Sequence, residues 1–281
     1  MAALYIVSTP IGNLGDITRR AVEVLASADV VLAEDTRRTG MLLKHLGVEA
    51  RLVSAHEHNE AARAATVVEM LTEGKDVALV SDAGTPLLSD PGARIVQRVV
   101  EAGFAVVPIP GASALLSALV GSALPAERFS FYAFLPRKGG ERTELLREVA
   151  AARHTSVMYE SPNRLGRLLA NLAAECGPER RAVVARELTK LHEEFARGTL
   201  GELAERYADE TPLGEVVVVV EGAGEGVERA AEEGTAEAAL LLARSLLAQG
   251  LSPSAVAREL RQRLGMARNA AYALVQEVAG E

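Results

Sequence analysis

Residues 4–33 read LYIVSTPIGNLGDITRRAVEVLASADVVLA. A β-branched run, Leu4–Ser8, leads through a Pro-Ile-Gly-Asn turn to a helical pattern, Thr18–Ala28, and then to a second run, Asp29–Ala33. A short apolar run, an amphipathic helix and another such run make a βαβ unit, whose strands lie parallel. The unit repeats. Runs at Ala50–Ser54, Asp76–Ser81 and Ala105–Ile109 alternate with helical patterns at Thr39–Leu46, Glu60–Glu73 and Gly92–Ala102. Residues 1–118 are therefore expected to form an α/β domain with a mostly parallel sheet.

After Pro125 a second block carries apolar runs at Phe129–Phe134, Ser156–Tyr159, Arg181–Ala185 and Glu215–Glu221. Helical patterns at Arg142–Arg153, Leu165–Ala174 and Gly201–Tyr207 lie between them. This block, 119–223, reads as a second α/β domain with a mixed sheet, joined to the first near Gly111–Pro125. Residues 224–235 are rich in Glu and Gly, the composition of a solvated linker. Residues 236–281 are Ala/Leu-rich, with Gly250 and Gly265 as stops and Ser252 or Ser254 as caps, and read as a small helical domain.

Hydrophobic residues at 49% and charged ones at 24% describe a folded chain and exclude disorder, collagen and a disulfide scaffold. Cys176 is the only cysteine, so no internal disulfide and no Cys-rich zinc site is expected, and a cytoplasmic setting fits. No signal peptide or membrane span is expected either. Thirty basic against 38 acidic residues give a net charge of −8, which excludes a uniformly basic nucleic-acid coat but leaves room for a local patch.

In an open parallel sheet, ligands bind beyond the carboxyl ends of the strands. The segments there are Thr9–Asn13, Glu34–Arg38, His56–Glu60, Asp82–Pro86 and Pro110–Ala114, all polar or rich in Gly and Pro. Neither a dinucleotide fingerprint nor a Walker loop is among them. Each segment also has a structural reading: a turn at Pro10–Asn13, a helix start at Glu34-Asp35, a capping role for His56. The pair His56 and His58 lacks a third ligand, so no metal is expected. In the second block Tyr159–Arg164 and Arg186–Lys190 follow strands, and the basic run Arg137-Lys138 with Arg142 and Arg147 reads either as ordinary surface or as a phosphate-binding flank.

The segments Tyr5–Thr18, Ala33–Thr39, His56–Glu60 and Ser81–Pro86 together resemble those of the ribosomal RNA small-subunit methyltransferase I group, within the tetrapyrrole methylase (class III methyltransferase) superfamily. Tyr159–Arg164, Ala185–Lys190 and Gly214–Gly222 extend the resemblance. It implies S-adenosylmethionine as methyl donor, a cytidine 2′-hydroxyl of small-subunit rRNA, free or in the assembled subunit, as acceptor, and a homodimer with no membrane partner. By the same resemblance the donor pocket falls to Pro10, Asp82, Ala83, Thr85, Ser113, Ala114, Tyr159, Glu187 and Gly214. Glu34, Asp35, Arg37, His56 and Lys190 fall on the acceptor side. His56 and Lys190 are alternative bases, Lys190 otherwise acting as an electrostatic clamp. The chain departs from the group's pattern at Leu87-Leu88, in place of a smaller Gly-Ile pair, and at Ala133, in place of glycine.

Two other functions fit parts of the sequence. A tetrapyrrole or corrinoid C-methyltransferase would share the donor pocket. A ligand-sensing regulator would use Ser252–Val275 as a helix-turn-helix, since Arg258, Arg261, Arg263 and Arg268 stand against Glu259 alone. The same helices also read as a packing module or as an accessory RNA contact.

Overall fold

Ten strands and eight α-helices of the first 222 residues build two sheets with their covering layers. The computed structural model describes residues 2–223, 239–247, 249, 251–264, 266 and 268–280. In the first sheet β1 (Ala3–Val7), β2 (Val30–Ala33), β3 (Leu52–Ser54), β4 (Val77–Val80) and β5 (Ala105–Ile109) are all parallel, in the order β3-β2-β4-β1-β5. Helices α1 (Arg19–Ser27), α2 (Thr36–Leu46), α3 (Glu60–Thr72) and α4 (Ala93–Glu101) connect them. The fully buried runs Val30–Ala33 and Val77–Val80 have both faces covered, one by α3 and α4, the other by α1 and α2. Glu60 ties two helices together. Its buried carboxylate accepts the backbone N–H of Gly92 at 3.1 Å and of Arg94 at 2.6 Å, capping α4, whose own N-cap glycine has no side chain to offer.

The second sheet is mixed. It holds β6 (Phe129–Phe134), β7 (Thr155–Glu160), β8 (Arg181–Arg186), β9 (Glu194–Thr199) and β10 (Val216–Val220) in the order β6-β7-β10-β8-β9, with only β6 and β7 parallel. The five valines of β10 are all buried. Val216, Val218 and Val220 face the layer of α6 (Gly140–Ala151), α7 (Leu165–Cys176) and α8 (Leu200–Arg206), while Val217 and Val219 face the opposite side. That opposite side is covered by α5 (Ala114–Gly121), a helix not foreseen in the Gly111–Pro125 junction. Its sequence, ALLSALVG, is apolar all round and shows no helical period.

Strand β9 was also unforeseen. As an edge strand it buries little beyond Ala196, and ion pairs of Glu194 with Arg186 at 2.5 Å and Arg206 at 2.7 Å hold it in place. Both sheets belong to one unit, Met1–Gly222, and Ala223–Glu281 forms another. The expected 118/119 boundary falls inside α5. The second unit packs Ala239, Ala243 and Leu246 with helices Pro253–Leu264 and Arg268–Gly280. The expected linker at 224–235, the stops Gly250 and Gly265, and the side chains of Arg263 and Arg268 lie outside the described residues. Among the described residues no helix is long and apolar enough to cross a membrane.

Both departures from the group's glycines fall on left-handed backbone. Leu87 has φ 74° and Ala133 φ 52°. Ala133 sits in a bulge where Phe131 pairs with Val157 and Phe134 with Tyr159. A side chain in this region costs about 1–2 kcal/mol. Ala133→Gly is therefore expected to raise stability by about 0.5–1 kcal/mol, net of the entropy glycine adds to the unfolded chain. Urea denaturation of the variant against the parent checks this; equal or lower stability would contradict the strain.

Candidate active site

The chain enters the first sheet at β1, runs outward through β2 and β3, and returns to β4 beside β1. The carboxyl ends of β1 and β4 thus mark the switch point of the sheet, where the connections diverge and leave a crevice. Two backbone hydrogen bonds, Thr9 N to Gly84 O at 2.8 Å and Gly84 N to Thr9 O at 3.0 Å, join the two following loops. Thr85 Oγ1 donates to Ala112 O at 3.1 Å and lies 3.1 Å from Ser8 Oγ, so the loop after β5 is tied to the same floor. Ser113 then caps α5.

Above this floor stands the end of the second sheet where β7 finishes and β10 begins, Val216 pairing with Glu160. Between floor and wall lies a cleft of about 420 Å³, a size suited to a small-molecule ligand. Glu34, Asp82, Ala83, Thr85, Ser113, Ala114, Tyr159 and Gly214, all expected from the sequence, line it. Gly214 has φ 87°, and a side chain there would run into Glu187. Tyr159 stacks edge-on against Phe131 at 4.9 Å between ring centres and lies 5.6 Å from Phe134. Burial pushes its hydroxyl pKa up.

The remaining expected residues lie off this lining. Pro10 precedes Ile11, which does line the cleft. Asp35 turns its carboxylate onto the N-terminus of α2, accepting from Arg37 N at 2.8 Å and pairing with the exposed Arg37 guanidinium. That pairing holds the Asp35 carboxyl well below the usual range. His56 follows the outer strand β3 and folds against Asn59, which accepts from its backbone N–H at 2.9 Å and lies 3.2 Å from its Nε2. Its Nδ1 is buried without a partner. Glu187 and Lys190 pair at 2.9 Å on a loop where Glu187 and Thr189 have positive φ. Lys190 packs on Gly12, where any side chain would collide with it. Among the described residues no three His, Cys, Asp or Glu side chains are grouped to hold a metal ion. Cys176 is a partly buried thiol whose pKa is pushed up by burial.

Several lining residues were not singled out from the sequence as site residues: Asp90, Phe134, Glu160 and Glu215. Asp90 opens an Asp-Pro-Gly turn, and Phe134 lies at the bulge of Ala133. With them the lining, among the described residues, holds five carboxylates, Glu34, Asp82, Asp90, Glu160 and Glu215, and one cation, Arg38. From outside the lining Arg164 pairs with Glu160, and Lys190 lies 3.8 Å from Glu215. Asp82 is engaged, accepting from Asp35 N at 3.0 Å and Arg38 at 3.2 Å. Burial, and next the neighbouring Asp82, raises the Glu34 pKa. Burial also raises Asp90, to about 6, with Glu34, Asp82 and Glu215 adding to it and a Ser81 hydrogen bond opposing. A site with this charge favours a cationic ligand. In the second unit Arg258, Arg261, Ser252, Ser254 and Tyr272 line a separate pocket.

A crevice at the switch point of a parallel sheet, walled by a mixed sheet, is the architecture of one class of enzyme. The family model for tetrapyrrole (corrin/porphyrin) methylases matches residues 3–204, and the chain belongs to that family. Solved structures share the fold: a uroporphyrin-III C-methyltransferase from Thermus thermophilus (TM-score 0.57, 22% identity, 83% of this chain and 98% of that one) and a diphthine synthase (TM-score 0.61, 18% identity, 79% and 90%). Within the family its place is with the proteins named ribosomal RNA small subunit methyltransferase I. It is 44% identical to that of Synechocystis over 99% of both chains. It is 45% identical to that of Micromonospora olivasterospora over 97% of this chain and 86% of the relative.

The Asp90 pKa has a consequence for stability. Unfolded, the group loses its proton near 4; folded, near 6. The native state therefore binds more protons between these values, and stability falls as pH rises through that window. Asp90→Asn removes the penalty. It is expected to stabilise the protein at pH 7.5, on the order of 1 kcal/mol after allowance for solvent access, and to change little at pH 4. Melting temperatures at the two pH values check this; equal effects at both would contradict it.

Proposed function

We propose that the chain is an S-adenosylmethionine-dependent methyltransferase acting on the ribose 2′-hydroxyl of a cytidine in small-subunit ribosomal RNA. The observation that carries this is the acid-lined cleft at the switch point, in a chain alike over its full length to proteins of that name. The donor supplies an activated methyl group on a positively charged sulfur. The residues present fit it: the carboxylates of Asp82 and Asp90 complement a cation, and Gly84 and Gly214 let backbone approach a ligand closely. Ala83, Thr85, Ser113, Ala114 and Tyr159 shape the rest of the donor pocket; Pro10, next to the lining residue Ile11, and Glu187, against Gly214, complete the set.

On the acceptor side the chain must orient a ribose hydroxyl and take its proton. Glu34 lies on the lining, and its raised pKa brings a carboxylate closer to the range a base needs. His56, further out along the sheet edge, is the alternative. Lys190, paired with Glu187 and 3.8 Å from Glu215, suits the electrostatic clamp better than the base. Asp35 and Arg37 form an exposed pair at the start of α2, beside the cleft residue Arg38. No metal is needed for this chemistry. A cytoplasmic homodimer belongs to the same reading.

The test is to map ribose methylation on small-subunit rRNA from cells with and without the protein. One cytidine should lose its 2′-O-methyl group without it, and the purified protein should restore that group but leave tetrapyrrole acceptors unmodified. An unchanged map would refute the proposal. In the protein, Asp82→Arg is expected to abolish donor binding, because a bulky cation enters an acidic cleft and the bonds to Asp35 N and Arg38 disappear. Calorimetry on the folded variant checks this; unchanged affinity would remove Asp82 from the donor pocket.

A further inference from the structure

The cleft that suits a cationic donor is the wrong charge for an RNA backbone. Five carboxylates line it, so a polyanion must be held at its rim. One basic segment follows directly from the lining. Directly after Phe134, which lines the cleft, the chain runs Leu135-Pro136-Arg137-Lys138-Gly139-Gly140 into α6.

The base of this loop is clamped by charge. Arg142, 6% exposed, donates to Pro136 O at 2.9 Å and to Asn171 Oδ1 at 3.1 Å. Arg164 donates to Leu135 O at 2.7 Å and pairs with Glu160 at 3.1 Å. Glu160 is 2% exposed, and its second oxygen has no partner. The sequence presents Arg142 as surface or phosphate flank; its guanidinium is instead buried and committed to the loop's own carbonyl and to Asn171.

The tip is different in every respect. Arg137 and Lys138 are exposed, and no ion pair among the described residues engages them. Gly139 takes φ 100°, which glycine alone adopts easily. Gly140 is not required by conformation or by packing, since a side chain there would meet nothing within 4 Å. As the first residue of α6, Gly140 could be a larger residue without a clash. The space beside it is open to a molecule outside the chain.

We propose that residues 137–140 are a phosphate clamp for the RNA strand whose ribose enters the cleft, with Arg137 and Lys138 pairing to backbone phosphates and Gly140 leaving them room. This rests on the rRNA reading above. Binding and methylation are measured on small ribosomal subunits from cells lacking the protein, across a salt series. Arg137→Ala with Lys138→Ala should leave the melting temperature and donor affinity unchanged and weaken subunit binding. It should also lower the slope of log affinity against log salt by about 0.7–0.9 for each phosphate no longer neutralised. The charge-keeping exchange, Arg137→Lys with Lys138→Arg, should retain most of the slope. Gly140→Leu should weaken binding with no loss of stability and no change in slope.

An unchanged affinity and slope in the double alanine variant, while the parent methylates the subunit, would overturn the clamp and leave the enzyme reading standing. A parent protein that methylates no small-subunit RNA would overturn both.

Discussion

The seam between the two sheets is apolar, and the cleft depends on it. Ile11, from the loop after β1, packs with Leu115, Ala118 and Leu119 of α5 against Val157, Val183, Val217 and Val219 of the second sheet. Each such large side chain contributes roughly 1.5–3 kcal/mol on burial. Because Ile11 sits two residues from the Thr9–Gly84 bridge and α5 starts at Ser113, the packing that joins the sheets also fixes the loops that floor the cleft. Donor pocket and acceptor side are held in register by this packing, together with the hydrogen bonds of Asp82 to Asp35 N and Arg38.

Electrostatics divides the labour on this frame. Carboxylates gather inside, where desolvation raises the pKa of Glu34 and Asp90. Arginines reach the rim or bond to backbone carbonyls. A net charge of −8 thus says little about the partner, because a whole-chain sum does not report how charge is divided between the cleft and the surface around it.

The first-block strands were legible because each is a short apolar run between turn signals, and all five recur within a residue or two of the expected positions. The residues after β1, β4 and β5 that meet at the floor were legible as a polar edge. What the sequence does not carry is strand order. His56 follows β3, and β2 separates that strand from β4, roughly 10 Å of sheet away from the loop of Asp82. Asp35 and Arg37 were visible as charges, but whether a carboxylate caps a helix or faces a ligand is settled by a single rotamer. Helix α5 was hidden by uniform apolarity and β9 by its polarity, both consequences of where they sit: one beneath a sheet, the other at its margin.

The central strand of the second sheet is also its last in sequence. Before residues 216–220 leave the ribosome, β7 and β8 have no shared neighbour, and each presents an open edge and apolar side chains. The first sheet closes without them, since its five strands end at Ile109. Synthesis at about 5–20 residues per second leaves the unpaired β-strands exposed for several seconds, an interval in which aggregation competes with folding. The five valines that make the finished sheet firm thus make its assembly a late, single event, and any truncation short of Val220 leaves a half-built sheet for the chaperone machinery to find.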